Sequence, residues 1–214
     1  MSRREHALQN QSPLPPEYRQ LEYLESTGTQ YINTGVKDNK YISWELRLRA
    51  TNTSMVSCAN GVQDWGSGNI LLRIDPDAAN RYMRMYFCDH SNIQELLTVQ
   101  HDNNWHTFYV SNGSQKLDGV EYGQTTMTIT NQNRTIYIFS NNTGRAESYC
   151  KQQVEYSKIW ENGVIVRNYL PALRIANSKP GLYDLVNNQF YIMQALENVF
   201  MPKLQVNKIN IVYK

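Results

Sequence analysis

Charge is sparse in this 214-residue chain: Asp, Glu, Lys and Arg make up 19%, and the net balance of +2 is spread without a basic stripe. Without clustered Lys and Arg, the long-range attraction to phosphate that supplies most nucleic-acid affinity is missing, so no nucleic-acid partner is expected. Nowhere do about 18 consecutive apolar residues occur, which excludes a membrane-spanning helix. The opening Met1-Ser2-Arg3-Arg4-Glu5-His6 leads into no apolar run, so no signal peptide is expected and the chain should be made in the cytoplasm and stay soluble. Cysteine is scarce too. Cys58, Cys88 and Cys150 are odd in number and none forms a Cys-x-x-Cys pair, which argues against a disulfide framework or a zinc site and for buried free thiols.

Catalytic patterns are also missing. Glu22 and Glu25 are not spaced to share a strand face, and no Ser, His and acid cluster or Gly-rich phosphate loop stands out. His101 and His106 flank Trp105 with Asp102 nearby, but His106 alternates with Phe108 and Val110, which marks it as a histidine of the core or its edge. Asp64 and Asp102 each stand alone in their loops, and a lone Asp makes a poor calcium cage. No catalytic residue, metal or cofactor is expected.

What the chain has is aromatic and strand-forming. Fifteen Tyr and four Trp, with 41% hydrophobic residues, suit pleated surfaces around one sizeable core. Residues 1–13 are polar, and Pro13, Pro15 and Pro16 force an extended path, so they read as an arm or linker. From Leu21 onwards short runs with a two-residue period recur. In Trp44-Glu45-Leu46-Arg47-Leu48-Arg49 the apolar residues point one way and the charged ones the other. Similar alternation runs through Ile70, Leu72 and Ile74, through Met83, Met85 and Phe87, through Phe108 and Val110, through Met127 and Ile129, and through Ile136 and Ile138. Asn112-Gly113, Asp118-Gly119 and Asn162-Gly163 tolerate positive φ and predict tight hairpins. The only helix-like stretch, around Met193 to Glu197, predicts a short turn. Residues 203–214, with the alternating Leu204 to Tyr213, predict an extra edge strand or one lent to a neighbour.

Two end segments carry a family resemblance. Leu14-Pro15-Pro16-Glu17-Tyr18 running to Glu25-Ser26-Thr27-Gly28-Thr29-Gln30-Tyr31-Ile32-Asn33-Thr34-Gly35, paired with Gly181-Leu182-Tyr183-Asp184-Leu185-Val186-Asn187-Asn188-Gln189-Phe190-Tyr191, resembles the concanavalin A-like (laminin-G-like) domains of phage and prophage structural proteins. Between them, Trp105-His106, Asp118-Gly119, the run Ile136 to Asn142 and Tyr156 to Trp160 follow that family's order. The resemblance spans about residues 14–202 and implies an all-β jelly-roll sandwich of two antiparallel sheets. It also implies residence in a virion.

A sugar site needs a flat aromatic against ring C–H faces and amides or charged groups for the hydroxyls. Asp64-Trp65-Gly66-Ser67-Gly68-Asn69 has that composition, with Trp65 as stacking surface and Asp64 and Asn69 as hydroxyl partners. Ser140-Asn141-Asn142-Thr143-Gly144-Arg145 is a second such loop, with Asn141, Asn142 and Arg145 as candidates; both loops can equally be plain turns. The expected function is a non-catalytic virion structural protein whose lectin-like domain binds host-surface glycans. Its terminal segments would contact other virion proteins, and a homo-oligomer is expected. The alternative is a purely structural decoration or assembly protein. A glycan-degrading enzyme is the remote one, because the Glu-x-Asp-x-Glu strand of glucanases of this fold is missing.

Overall fold

The computed structural model describes residues 12–51, 57–64, 68–76, 81–88, 97–100, 102–123 and 133–195. The strands are Tyr18–Gln20 (β1), Leu24–Thr27 (β2), Gln30–Lys37 (β3), Ile42–Ala50 (β4), Ser57–Asp64 (β5), Gly68–Pro76 (β6) and Arg81–Cys88 (β7). They continue with Leu97–Gln100 (β8), His106–Ser111 (β9), Ser114–Leu117 (β10), Val120–Gly123 (β11), Thr135–Ile138 (β12), Asn141–Asn142 (β13) and Ala146–Glu147 (β14). Lys151–Glu161 (β15), Val164–Arg174 (β16), Lys179–Asp184 (β17), Gln189–Ile192 (β18) and Gln194–Ala195 (β19) complete the set. The fold is all-β, as expected, and its strands form two sheets that share a core.

The first sheet runs β11, β10, β9, β4, β15, β16, β17, β18, and the second runs β19, β3, β12, β5, β6, β7, β8. Pairing among the described residues is antiparallel except for one parallel bridge, Asn142 to Val62. The alternation in β4 decides which face is inside. Trp44, Leu46 and Leu48 are fully buried, and so are their register partners Val110 and Phe108 on β9 and Ile159 on β15. Ile32, Ile70, Leu72, Ile136 and Ile138 meet them from the second sheet in one cluster. Removing such side chains from water contributes about 1.5–3 kcal/mol each, and Glu45, Arg47 and Arg49 stay at the outer surface in ion pairs and half-buried contacts.

The two end segments meet in space. Strands β15 and β16 pair from the hairpin at Asn162-Gly163 as far as Ser157↔Tyr169 and diverge beyond that pair. Into that gap go β2, paired with Lys151–Val154, and β1, paired with Ala172–Arg174. Tyr18 thereby lies 4.8 Å from Tyr183 and 5.1 Å from Phe190, centroid to centroid. Leu14, Ala172 and Tyr183 form a small second core there, on the far side of the sheet from Leu182.

Each end motif is spent on this closure. The side-chain oxygen of Gln30 accepts from the Thr27 amide at 2.8 Å and from the hydroxyls of Thr27 and Ser26, fixing the turn into β3. Asp184 is fully buried; its Oδ1 accepts the amides of Asn168 (2.9 Å) and Val186 (3.0 Å), and Arg167 Nε stands 3.6 Å from its Oδ2.

The helical turn lies elsewhere than expected. Gln194–Ala195 extends as β19 beside β3, because its backbone finds strand partners at Tyr31 and Gln30, and the one helical element among the described residues is a 3-10 turn at Ile175–Asn177. Cys58 and Cys150 are buried thiols outside any disulfide, with burial pushing the Cys58 thiol far up. The Met127 and Ile129 run, most of the arm and the whole of 203–214 lie outside the described residues.

Candidate functional site

Strand β3 buries Ile32, Thr34 and Val36, so Tyr31 turns outward. Strand β12 buries Ile136 and Ile138, so Tyr137 turns outward as well. The register Tyr137↔Asn33 and Ile138↔Ile32 sets the two tyrosines diagonally on one face. Their rings stack at 4.7 Å with 29° between planes, and Tyr149 adds a third ring 6.3 Å from Tyr31. Burial, then the neighbouring Tyr31, pushes the Tyr137 and Tyr149 phenols above their ordinary range, so both remain protonated donors at neutral pH.

The Tyr31 and Tyr137 rings are part of the wall of an open cavity of about 640 Å³, within the size range of small-molecule sites. Gly144, Arg145 and Ala146 form one rim, and Gln194 and Ala195 the other. The first rim is held from below. Asn141 and Asn142, the ligand candidates of the second loop, are 2% and 5% exposed and committed to the protein. The Asn141 amide donates to Gln63 Oε1 at 2.6 Å, and the Asn142 amide donates to the Thr135 carbonyl at 2.8 Å while its Oδ1 accepts the Gly144 amide at 3.0 Å. They shape the rim. Arg145 reaches the cavity itself: its side chain is 83% exposed and its Nε donates to Glu147, a bond that holds the Glu147 carboxyl below its usual range.

Trp65 lies outside the described residues. Asp64 closes β5 and Asn69 lies in β6, in the register Asp64↔Gly68 and Gln63↔Asn69 of a hairpin. The two loops that composition singles out are joined by the Asn141–Gln63 bond, one residue before Asp64. Sequence reasoning missed Tyr31, Tyr137 and Gln194. Tyr31 sits inside the N-terminal family motif, and Tyr137 is the outward member of an alternating run whose buried members drew attention.

A second polar constellation surrounds His106. Its Nδ1 is 2.7 Å from Asp118 Oδ2 and its Nε2 is 3.0 Å from Asp102 Oδ1, so the ring can donate to both only as the imidazolium. Burial lowers the His106 pKa, but the hydrogen bonds and charges of Asp118 and Asp102 outweigh it and the net shift is upward. For Asp102, burial acts upward and is outweighed by hydrogen bonds from the Asn104 backbone and side chain and from His106, pulling the carboxyl down to about 2.

A histidine pKa raised by folding stabilises fully below its unfolded value of about 6.5 and ceases to as pH rises through the folded value. Wild type should therefore exceed His106→Gln in stability at about pH 6, with the gap closing towards pH 9. Thermal melts of both proteins across that range check this, and a gap that holds constant or widens with pH would contradict it.

On the outer face of the first sheet, Glu45, Thr107, Tyr109, Lys116 and Gly119 line a smaller hollow of about 240 Å³. Glu45 is already paired there with Lys158 at 3.3 Å. Among the described residues no group of three His, Cys, Asp or Glu can hold a metal ion, and no helix is long and apolar enough to cross a membrane.

No family model matches the chain, and no curated protein does. Among solved structures it is similar to a beta-1,3-glucanase from Mycobacterium marinum, at 11% identity and a TM-score of 0.35, over 61% of this chain and 67% of that one.

Proposed function

We propose that this chain is a non-catalytic, glycan-binding β-sandwich carried on a phage particle. The cavity walled by Tyr31 and Tyr137 is the observation that carries the reading. A pyranose ring offers an apolar face for an aromatic wall and a rim of hydroxyls for donors and acceptors, and here phenols, the Gln194 amide and the Arg145 guanidinium stand at the edges of such a wall. Glycoside hydrolysis ordinarily uses two carboxyl groups about 5–9.5 Å apart across the scissile bond. Among the described residues no carboxylate lines this cavity, and Glu147 beside it is bonded to Arg145, which favours holding a sugar over cutting it.

The particle setting draws its support from the resemblance of the end segments. An open site with few contacts binds weakly, and many copies on one scaffold convert weak binding into avidity. The terminal segments 1–13 and 203–214 are the attachment points to neighbouring virion proteins or sister copies.

Tyr137→Ala is expected to weaken glycan binding by about 1–2 kcal/mol, roughly 5–30-fold. Its melting temperature should move little, because Tyr137 packs on the outer face and not in the core. Glycan-array binding with a multivalent probe, beside a thermal melt, reads both, and deletion of 203–214 should spare binding per copy while ending the avidity. An array blank for the wild type leaves the purely structural decoration reading; release of reducing sugar from a bound oligosaccharide would make the protein an enzyme.

A further inference from the structure

We infer that the sugar taken by the tyrosine cavity carries a carboxylate, as a hexuronic or sialic acid does; the inference rests on the glycan-binding reading above. A guanidinium presents two edges suited to a paired acceptor, the side edge at Nε and the end edge formed by the two Nη groups. In Arg145 the side edge is taken, because Nε donates to Glu147. Among the described residues the Nη groups have no hydrogen-bond partner, and the side chain is 83% exposed on the cavity rim. Glu147 thus orients the planar group while leaving its end edge open.

That fork is the geometry that binds a carboxylate through two parallel bonds, and a sugar hydroxyl cannot use it as fully. Arg134 stands behind the same rim. Its Nη1 donates to the Gln63 carbonyl at 2.8 Å, and its Nη2 is 3.9 Å from the point a side chain on Gly144 would begin. The Glu147 carboxylate beside Arg145 disfavours an anion at the same mouth.

The balance between fork and Glu147 gives the test its signs. Binding of the full-length protein is measured by calorimetry to an oligohexuronate, to its carboxyl-reduced neutral counterpart, and to a sialylated oligosaccharide with and without its sialic acid. The acidic form of one pair should bind about 10–100-fold tighter than its neutral partner. The pair that shows the preference identifies the source of the carboxylate.

Arg145→Gln should erase that preference without shifting the melting temperature, and Glu147→Gln should widen it by removing the competing carboxylate. Equal binding of acidic and neutral forms, with both sensitive to Tyr137→Ala, overturns the carboxylate inference and leaves the glycan site standing. No binding of any form overturns both. A preference untouched by Arg145→Gln also overturns the inference, since another residue then reads the acid.

Discussion

Replacing Trp44 with alanine is expected to cost about 3–5 kcal/mol, the range for truncating a fully buried Trp. Trp44 is 0% exposed and lies between Val110 and Ile159 in register. In a domain of this size 1 kcal/mol moves the melting temperature by about 2–4 °C, so the shift should be about 6–20 °C. That is a large share of a typical total stability of about 5–15 kcal/mol.

Two further variants sharpen the expectation. The indole Nε1 of Trp44 is buried with no hydrogen-bond partner, so Trp44→Phe removes an orphaned donor as well as some volume and should cost far less than the alanine change. Trp105 packs outside the core, against Tyr23 at 6.1 Å and under the guanidinium groups of Arg47 and Arg49 at 5.9 and 5.3 Å. Its truncation loses half-buried contacts and opens no cavity, so Trp105→Ala should cost less than Trp44→Ala. Urea unfolding of the three variants checks the order; a Trp44→Ala protein melting within about 2 °C of wild type would mean the core is not built around that ring.

Why Trp44 could be placed from sequence also shows where sequence reasoning stopped. Period two in β4 needs only local residues, and Glu45, Arg47 and Arg49 leave one face for the core. The hairpins at Asp118-Gly119 and Asn162-Gly163 were legible for the same reason, since both residues of each turn take φ between 50° and 82° and Asn, Asp and Gly tolerate that region.

Leu71 breaks the pattern. It follows Ile70 on the opposite face of β6 and is nevertheless 2% exposed, because burial on an outer face depends on which segments cover it, and alternation carries no information about that. Asn141 and Asn142 fail similarly. Their composition reads as an exposed loop, but the bond from Asn141 to Gln63 spans 78 positions and the bridge from Asn142 reaches Val62. A contact that distant has no local signature.

The cavity was illegible for a related reason: Tyr31 and Tyr137 are unremarkable singly and become a shared wall only through the β3–β12 register. The end motifs were the most recognisable residues in the chain and proved to be about closure. Ser26, Thr27 and Gln30 build a turn, Asp184 ties β16 to the β17–β18 turn, and Tyr183 docks on Tyr18. Residues occupied with closure specify a fold and carry no information about a ligand.

Gly181, the first residue of the C-terminal motif, gives the sharpest test of that closure. Its backbone does not take a positive φ, so the requirement for glycine here is space alone. A Cβ would sit 2.3 Å from the Tyr191 carbonyl oxygen and 2.8 Å from Phe190 Cζ. The first atom is backbone of the paired strand β18 and cannot swing away. Gly181→Ala must therefore push β18 off β17, loosening Phe190 from Tyr18 and Tyr191 from Tyr169, whose rings meet edge to face at 5.2 Å. Overpacking typically costs about 1–3 kcal/mol, and a clash with backbone belongs at or above the upper end. Gly163 is the control. It has φ of +76° and nothing within 4 Å of its would-be Cβ, so Gly163→Ala pays only the left-handed backbone penalty of about 1–2 kcal/mol. Urea unfolding should rank Gly181→Ala as clearly the more damaging of the two. Equal or reversed costs would mean that β17 and β18 do not approach as closely as their pairing requires, and the role assigned to the motif's glycine would fall.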